Sequence, residues 1–140
     1  MIRGFFGENR FMSNFYVCED GYCVETEYQA AKFENDEIKG KISRMTPGKA
    51  KMFAKRNPDL VRKNWKSVNV LVMNNLIREK FKNDPERSML ENTGNHILVE
   101  DNNWHDNFWG HCHCSKCRKE PKHNVLGKIL MKIRQENRGD

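Results

Sequence analysis

Apolar residues near the C-terminus recur at helical spacing. Val125, Leu126, Ile129, Leu130 and Ile133 share one face behind Asn124, which can act as N-cap. A second stripe, Val70, Met73 and Ile77 with Leu76 beside it, predicts a longer helix opened by Ser67. Thr46-Pro47 offers a cap and a first-turn proline for a helix through about Arg56. That helix should stop at Asn57-Pro58, because the residue before proline resists helical geometry. Glu25 to about Ile38 also reads as helix. Asp84-Pro85 repeats the cap-plus-proline signature, and Gly94 supplies a C-terminal stop.

Strand signals are short. Ile2–Phe6, before the Gly7-Glu8-Asn9 turn, and the β-branched run Ile97–Val99 each suit a brief strand. Asp20-Gly21, between Tyr16–Glu19 and Tyr22–Val24, predicts a hairpin with Cys18 directly opposite Cys23. No repeat, low-complexity tract or linker interrupts the chain. The pattern predicts an α+β fold, a predominantly α-helical single domain over residues 1–140 with a small β-sheet.

Composition excludes two classes. With 37% hydrophobic residues and 31% charged, the chain is too apolar for a disordered polymer and too polar for a membrane protein. Its longest strictly apolar run, Val70–Met73, is far short of the ~18 residues that span a bilayer. Met1–Phe6 lacks the basic start and long apolar stretch of a signal peptide, so the expected location is cytoplasmic.

Charge is uneven. Lys39–Lys66 holds ten basic residues and one acid, Asp59, whereas the whole chain sums to only +6. Such a segment suits a solvated helix face, or attraction of a phosphate-bearing metabolite, a dinucleotide or a nucleic acid. Of the five cysteines, Cys112, Cys114 and Cys117 cluster in a metal-knuckle spacing, with His111, His113 and His123 nearby. That spacing makes Cys112, Cys114, Cys117 and His123 candidate ligands of a structural zinc. Buried, reduced thiols are the alternative. Cys18 and Cys23 are expected to remain thiols.

Two segments carry candidate chemistry. Glu25, Gln29 and Lys32 fall on one helix face with Tyr28 beside them, a carboxylate, an amide and an ammonium together. Glu27 competes, but its partner one turn on is Ala31. The stretch from Glu100 to Gly110 interleaves Trp104, Phe108 and Trp109 with Asp101 and Asp106, a mixture suited to stacking a planar ring and polarising a sugar. A polar surface stripe and a core-packed loop with turn-capping carboxylates are the structural alternatives. Phosphate loops, dinucleotide fingerprints, zinc-protease motifs and serine-hydrolase elbows are missing from the sequence.

These residues resemble the NADAR superfamily, which includes the YbiA-like N-glycosidases. The matching segments are Phe11-Met12-Ser13-Asn14-Phe15-Tyr16, Glu25-Thr26-Glu27-Tyr28-Gln29-Ala30-Ala31-Lys32 and Arg62-Lys63-Asn64-Trp65, followed by Leu98-Val99-Glu100, Asp106-Asn107-Phe108-Trp109-Gly110 and Asn124-Val125-Leu126-Gly127. They run in family order over nearly the whole chain. The resemblance implies hydrolysis of a ribosyl C–N bond without a required cofactor. Implied substrates are phosphorylated ribosylamino-pyrimidines of riboflavin synthesis, or ADP-ribosylated guanine in nucleic acid. It further implies that Glu25, Trp65, Asp106 and Trp109 line the active site, with Ser13, Asn14, Phe15, Gln29, Lys32, Gly110 and Asn124 around it. The alternatives are a non-catalytic module binding NAD, ADP-ribose or nucleic acid, and a zinc-stabilised nucleic-acid-binding protein.

Overall fold

The structure, a computed structural model, describes residues 1–139. The chain divides into two compact units: a helical unit, Asn14–Lys80, and a mixed unit made of Met1–Ser13 and the chain from Phe81 onward.

In the helical unit, α1 (Val24–Ala31), α2 (Asp36–Ser43), α3 (Pro47–Arg56) and α4 (Trp65–Lys80) follow one another, with a 3₁₀ turn at Pro58–Leu60. The single helix expected from Glu25 to Ile38 is therefore two. Phe33 leaves helical geometry to join a core of Ala30, Ile42, Ala50 and Ala54, where it is fully buried and meets Phe53 edge-on at 5.8 Å. Asn35 then restarts the chain, its Oδ1 accepting from the Ile38 N–H at 3.0 Å. Burying a phenylalanine contributes up to about 3 kcal/mol, more than continued helix over three residues offers. Asn35→Ala should cost about 1 kcal/mol through loss of this cap. Thermal unfolding monitored by circular dichroism checks this, and an unchanged midpoint would assign the break to Phe33 alone.

Thr46 caps α3 as expected. In contrast, α4 opens at Trp65, not behind Ser67. Carbonyls of Arg62 and Asn64 accept from the Trp65 and Ser67 N–H groups, so the turn is wound before Ser67 is reached. Met73 and Ile77 are buried, while Val70, at the start of the same stripe, is exposed. The Asp20-Gly21 hairpin does not form. Asp20 Oδ1 accepts from the Tyr22 N–H, Gly21 sits at φ +90°, and Cys18 N–H pairs with Tyr22 O, so the turn closes on Cys18 and Tyr22 without flanking strands. Cys23 is instead the N-cap residue of α1, its thiol donating to Asn14 O.

Among the described residues, the mixed unit contains two parallel strand pairs. β1 (Ile2–Arg3) pairs with β2 (Leu98–Val99), and β3 (Asp101–Asn102) with β4 (His111–Cys112). The expected strands at Ile2–Phe6 and Ile97–Val99 exist but are shorter. After β1 the chain enters the 3₁₀ turn Gly7–Met12, whose Phe11 meets Phe81 edge-on at 6.4 Å. α5 (Glu86–Glu91) follows the Asp84-Pro85 signature, and Asp84 Oδ1 accepts from the Ser88 N–H and hydroxyl. α6 (Val125–Asn137) buries Leu126, Ile129, Leu130 and Ile133, the expected face. Arg134 on α6 is buried but satisfied, donating to Thr93 Oγ1 at 2.8 Å and His96 O at 2.9 Å. Among the described residues, no helix is long and apolar enough to cross a membrane.

Candidate active site

The helical unit brings Glu25, Gln29, Lys32 and Trp65 together around α1. Glu25 and Gln29 are 8% and 3% exposed, which sets them apart from a solvated stripe. Gln29 Nε2 donates to Glu25 Oε1 at 2.7 Å, and this fixes the amide's orientation, since its oxygen would repel the carboxylate. Gln29 Oε1 therefore points elsewhere, and among the described residues this buried acceptor receives no hydrogen bond. Leaving such an atom unpaired costs about 1–3 kcal/mol, a penalty typical of sites kept for a ligand.

Around this pair, Tyr28 is buried and packs edge-on against half-buried Trp65 at 5.0 Å. Lys32 Nζ lies 5.7 Å from the Tyr28 ring centre. Burial pushes the Lys32 ammonium below the ordinary lysine range; Glu25 pulls it back up and Lys51 pushes it down. Asn14 is anchored at the start of α1, its carbonyl accepting from the Glu25 N–H at 2.9 Å and its amide reaching Met73 Sδ at 3.5 Å. Phe15 is exposed, with Lys51 Nζ 5.7 Å from its ring centre. Glu27, the competing acid, accepts from Ser43 Oγ at 3.4 Å and so faces α2.

In the mixed unit, Asp106 and Trp109 occupy one tight turn. Asp106 Oδ1 accepts from the N–H groups of Phe108 at 3.2 Å and Trp109 at 2.9 Å, so the turn-capping role is real and uses one carboxylate oxygen. Trp109 is half-buried and crosses Phe108 at 87° with centres 4.9 Å apart. Carbonyls of Phe108, Trp109 and Gly110 accept from the N–H groups of Val125, Leu126 and Asn124, which satisfies the opening turn of α6. Asn124 is consequently not a side-chain cap, although it holds the cap position. It sits at φ +46°, accepts from Glu100 N–H at 3.0 Å and donates to Leu98 O at 2.9 Å, binding β2 to the start of α6. A side chain on Gly110 would meet Glu100 Oε2 at 2.0 Å and Glu100 O at 2.2 Å, so only glycine lets the turn approach Glu100. Ser13 ends the 3₁₀ turn, its N–H donating to Arg10 O at 3.0 Å.

Sequence reasoning missed Asn102. This buried amide accepts from the Trp104 and Asp106 N–H groups and donates to Asp106 O at 2.8 Å, so it shapes the loop that presents Asp106. Among adjacent polar residues nothing in the sequence distinguished it. The fourth member of the cysteine cluster was also misplaced. His105, Cys112, Cys114 and Cys117 bring one ligand atom each within 4.8 Å of one another, a group that could hold a metal ion. His123 is not in it. The chain leading into α6 holds His123 by its N–H on Asn107 O, with its ring 6.3 Å from Phe108. His105, at φ +72°, hooks back towards the cysteines.

The chain is similar to several known proteins. The chain is 34% identical over 134 residues to a riboflavin biosynthesis protein of Vibrio vulnificus, covering 90% of this chain and 35% of that protein. It thus spans about a third of the Vibrio protein's length. An N-glycosidase of Nostoc punctiforme is 33% identical over 120 residues, covering 82% of this chain and 73% of that one. The NMR structure of the E. coli protein YbiA superposes with a TM-score of 0.77 at 29% identity, covering 96% of this chain and 83% of YbiA. The NADAR domain model matches residues 6–138, and the chain belongs to the NADAR domain family.

Proposed function

We propose that this protein is an N-glycosidase that hydrolyses the C1′–N bond of a phosphate-bearing ribosyl compound, and that its two units act as one NADAR domain, since the family match runs through both. The observation that carries this reading is the buried Glu25–Gln29 pair with the unpartnered Gln29 Oε1. A ribose hydroxyl can donate to that oxygen. As the C1′–N bond breaks, its electron pair goes to the departing nitrogen and positive charge develops on the ribose ring. A buried carboxylate stabilises that charge far better than water does. Water oxygen then bonds to C1′, and its proton ends on the leaving base.

Glu25 supplies the charge in this reading, and Trp65 with Tyr28 presents an aromatic surface for the heterocycle. Asp106 and Trp109, which the family resemblance implies in the same reaction, provide a second carboxylate and a second aromatic. Asn14, Ser13, Phe15, Gln29, Lys32, Gly110 and Asn124 bind substrate or hold these groups in place. The reaction requires no cofactor. A reducing, cytoplasmic setting suits the five cysteines, which form no disulfide among the described residues.

Names of the relatives favour a ribosylamino-pyrimidine phosphate of riboflavin synthesis, with ADP-ribosyl-guanine as the second candidate. Incubation with each compound and with NAD, followed by mass spectrometry for the released ribosyl product, tests the reading. Release from one compound is expected. Binding of all three with every C–N bond intact would favour a non-catalytic binding module.

The basic segment should act in capture. Lys49, Lys51 and Lys55 are exposed on α3. Replacing all three with glutamine should raise KM more than it lowers kcat, and KM of the parent should rise with ionic strength as phosphate attraction is screened. A salt-independent KM in steady-state assays would remove the electrostatic role.

A further inference from the structure

We propose that His105, Cys112, Cys114 and Cys117 form a structural zinc site that closes the loop carrying Asp106 and Trp109. The metal site stands on its own geometry; only its consequence for Asp106 rests on the glycosidase reading.

Three thiols and an imidazole converge here from separate local devices. Parallel pairing of Asn102 with Cys112 fixes the first cysteine against β3. The 3₁₀ turn Ser115–Cys117, closed by Cys117 N–H on Cys114 O at 3.1 Å, turns Cys114 and Cys117 to the same side. The loop after β3 returns at His105, whose Nδ1 lies 3.3 Å from Cys114 Sγ and 3.4 Å from Cys117 Sγ. Tetrahedral zinc with ordinary Zn–S and Zn–N bonds needs N···S edges of about 3.5 Å and S···S edges of about 3.8 Å. The observed separations match the first, and all four ligand atoms lie within 4.8 Å of each other.

A second observation is a pair of outer hydrogen bonds on the first cysteine. Cys112 Sγ accepts from two backbone N–H groups, those of His105 at 3.4 Å and Cys114 at 3.5 Å. Such outer hydrogen bonds hold a ligand sulfur in one orientation, as they do around metal ligands generally. Cys112 and Cys117 are buried, whereas His105 is at the surface, which gives the ion an entry path. Four protein ligands leave no open position, so the ion's role is structural and not activation of water. Asp106 and Trp109 lie between the first two ligands in sequence, so the ion would cross-link the base of their turn.

The test uses the full chain purified under reductant without a histidine tag. Elemental analysis should find about one zinc per chain, and a mercurial titration should release it as about three of the five thiols react. Replacement by cobalt should give the absorption of tetrahedral thiolate coordination. His105→Ala and Cys114→Ser should each lower zinc below about a fifth of an equivalent after dialysis against a weak chelator, with His123→Gln retaining it. The titration of the parent protein keeps the test decisive if a variant fails to fold. Zinc below about a fifth of an equivalent in the parent, iron in its place, or loss in His123→Gln with retention in His105→Ala would overturn the site. None of these readouts depends on turnover, so an inactive zinc-loaded protein would contradict the glycosidase reading alone.

Discussion

Glu25→Gln is expected to lower kcat by about 10³-fold, equivalent to about 4 kcal/mol of transition-state stabilisation, with ligand affinity changed less than about threefold. The substitution keeps volume and removes charge. Gln29 Nε2 can still donate to the new side chain's oxygen, as it does to Glu25 Oε1 at 2.7 Å, so the local structure should persist. What is lost is the negative charge opposite a ribose ring that becomes positive only during reaction. Glu27→Gln is the control. Glu27 faces Ser43 and is not part of the Glu25–Gln29 pair, so its variant should turn over within about threefold of the parent. Steady-state kinetics and calorimetric binding on both variants check the prediction. Near-parental turnover in Glu25→Gln would remove Glu25 from the chemistry.

Gly127→Ala should be among the most destabilising single changes, although glycine-to-alanine within a helix ordinarily stabilises by about 1 kcal/mol. A Cβ at Gly127 would stand 2.1 Å from Leu98 O and 2.4 Å from Asn124 Nδ2. The first neighbour is strand backbone, and the second is the amide that joins Leu98 and Glu100 to α6. Relief requires α6 to move from β2, which weakens two hydrogen bonds of about 1 kcal/mol each in addition to overpacking of about 1–3 kcal/mol. The net loss is about 2–4 kcal/mol, or a melting temperature lower by roughly 8–15 °C. Gly48→Ala on α3 meets nothing within 4 Å and should raise the midpoint slightly. Calorimetry of the pair separates the effects, and equal midpoints would refute the close approach.

How much of this could be read from sequence depended on distance along the chain. The buried face of α6 was legible because its period of apolar residues is local, and Thr46-Pro47 was legible because a cap and a proline act on their own turn. The α1–α2 break was not, because it depends on Phe33 finding Ile42, Ala50 and Ala54, contacts that no helical period encodes. Asn124 illustrates a subtler failure. Its residue type suits a cap, but carbonyls of Phe108, Trp109 and Gly110 already serve the helix N–H groups, which frees its amide to bridge β2. Asp20-Gly21 marked a turn correctly, yet the Asp20 carboxylate shifted its closure to Cys18 and Tyr22.

At the candidate site, the Glu25 face followed from helical spacing, and its burial separated it from a surface stripe only in three dimensions. His105 was hidden because its loop reverses at a left-handed residue before reaching the cysteines, whereas His123 is nearer Cys117 in sequence but held on Asn107. Asn102 was hidden because its importance lies in four hydrogen bonds around Asp106, Trp104 and Glu100, all made by a side chain with an unremarkable sequence context.

Hydrolysis of a ribosyl C–N bond is tested most directly by single turnover with enzyme in excess over a phosphorylated ribosylamino-pyrimidine, and over ADP-ribosylated guanosine in parallel. Excess enzyme removes product release from the measurement and reveals even slow chemistry. The parent protein is expected to convert one of the two compounds completely to free base and ribosyl product in a single exponential, with Glu25→Gln binding the same compound and leaving it intact. Saturated binding of both compounds by the parent, with neither C–N bond cleaved, would contradict the account.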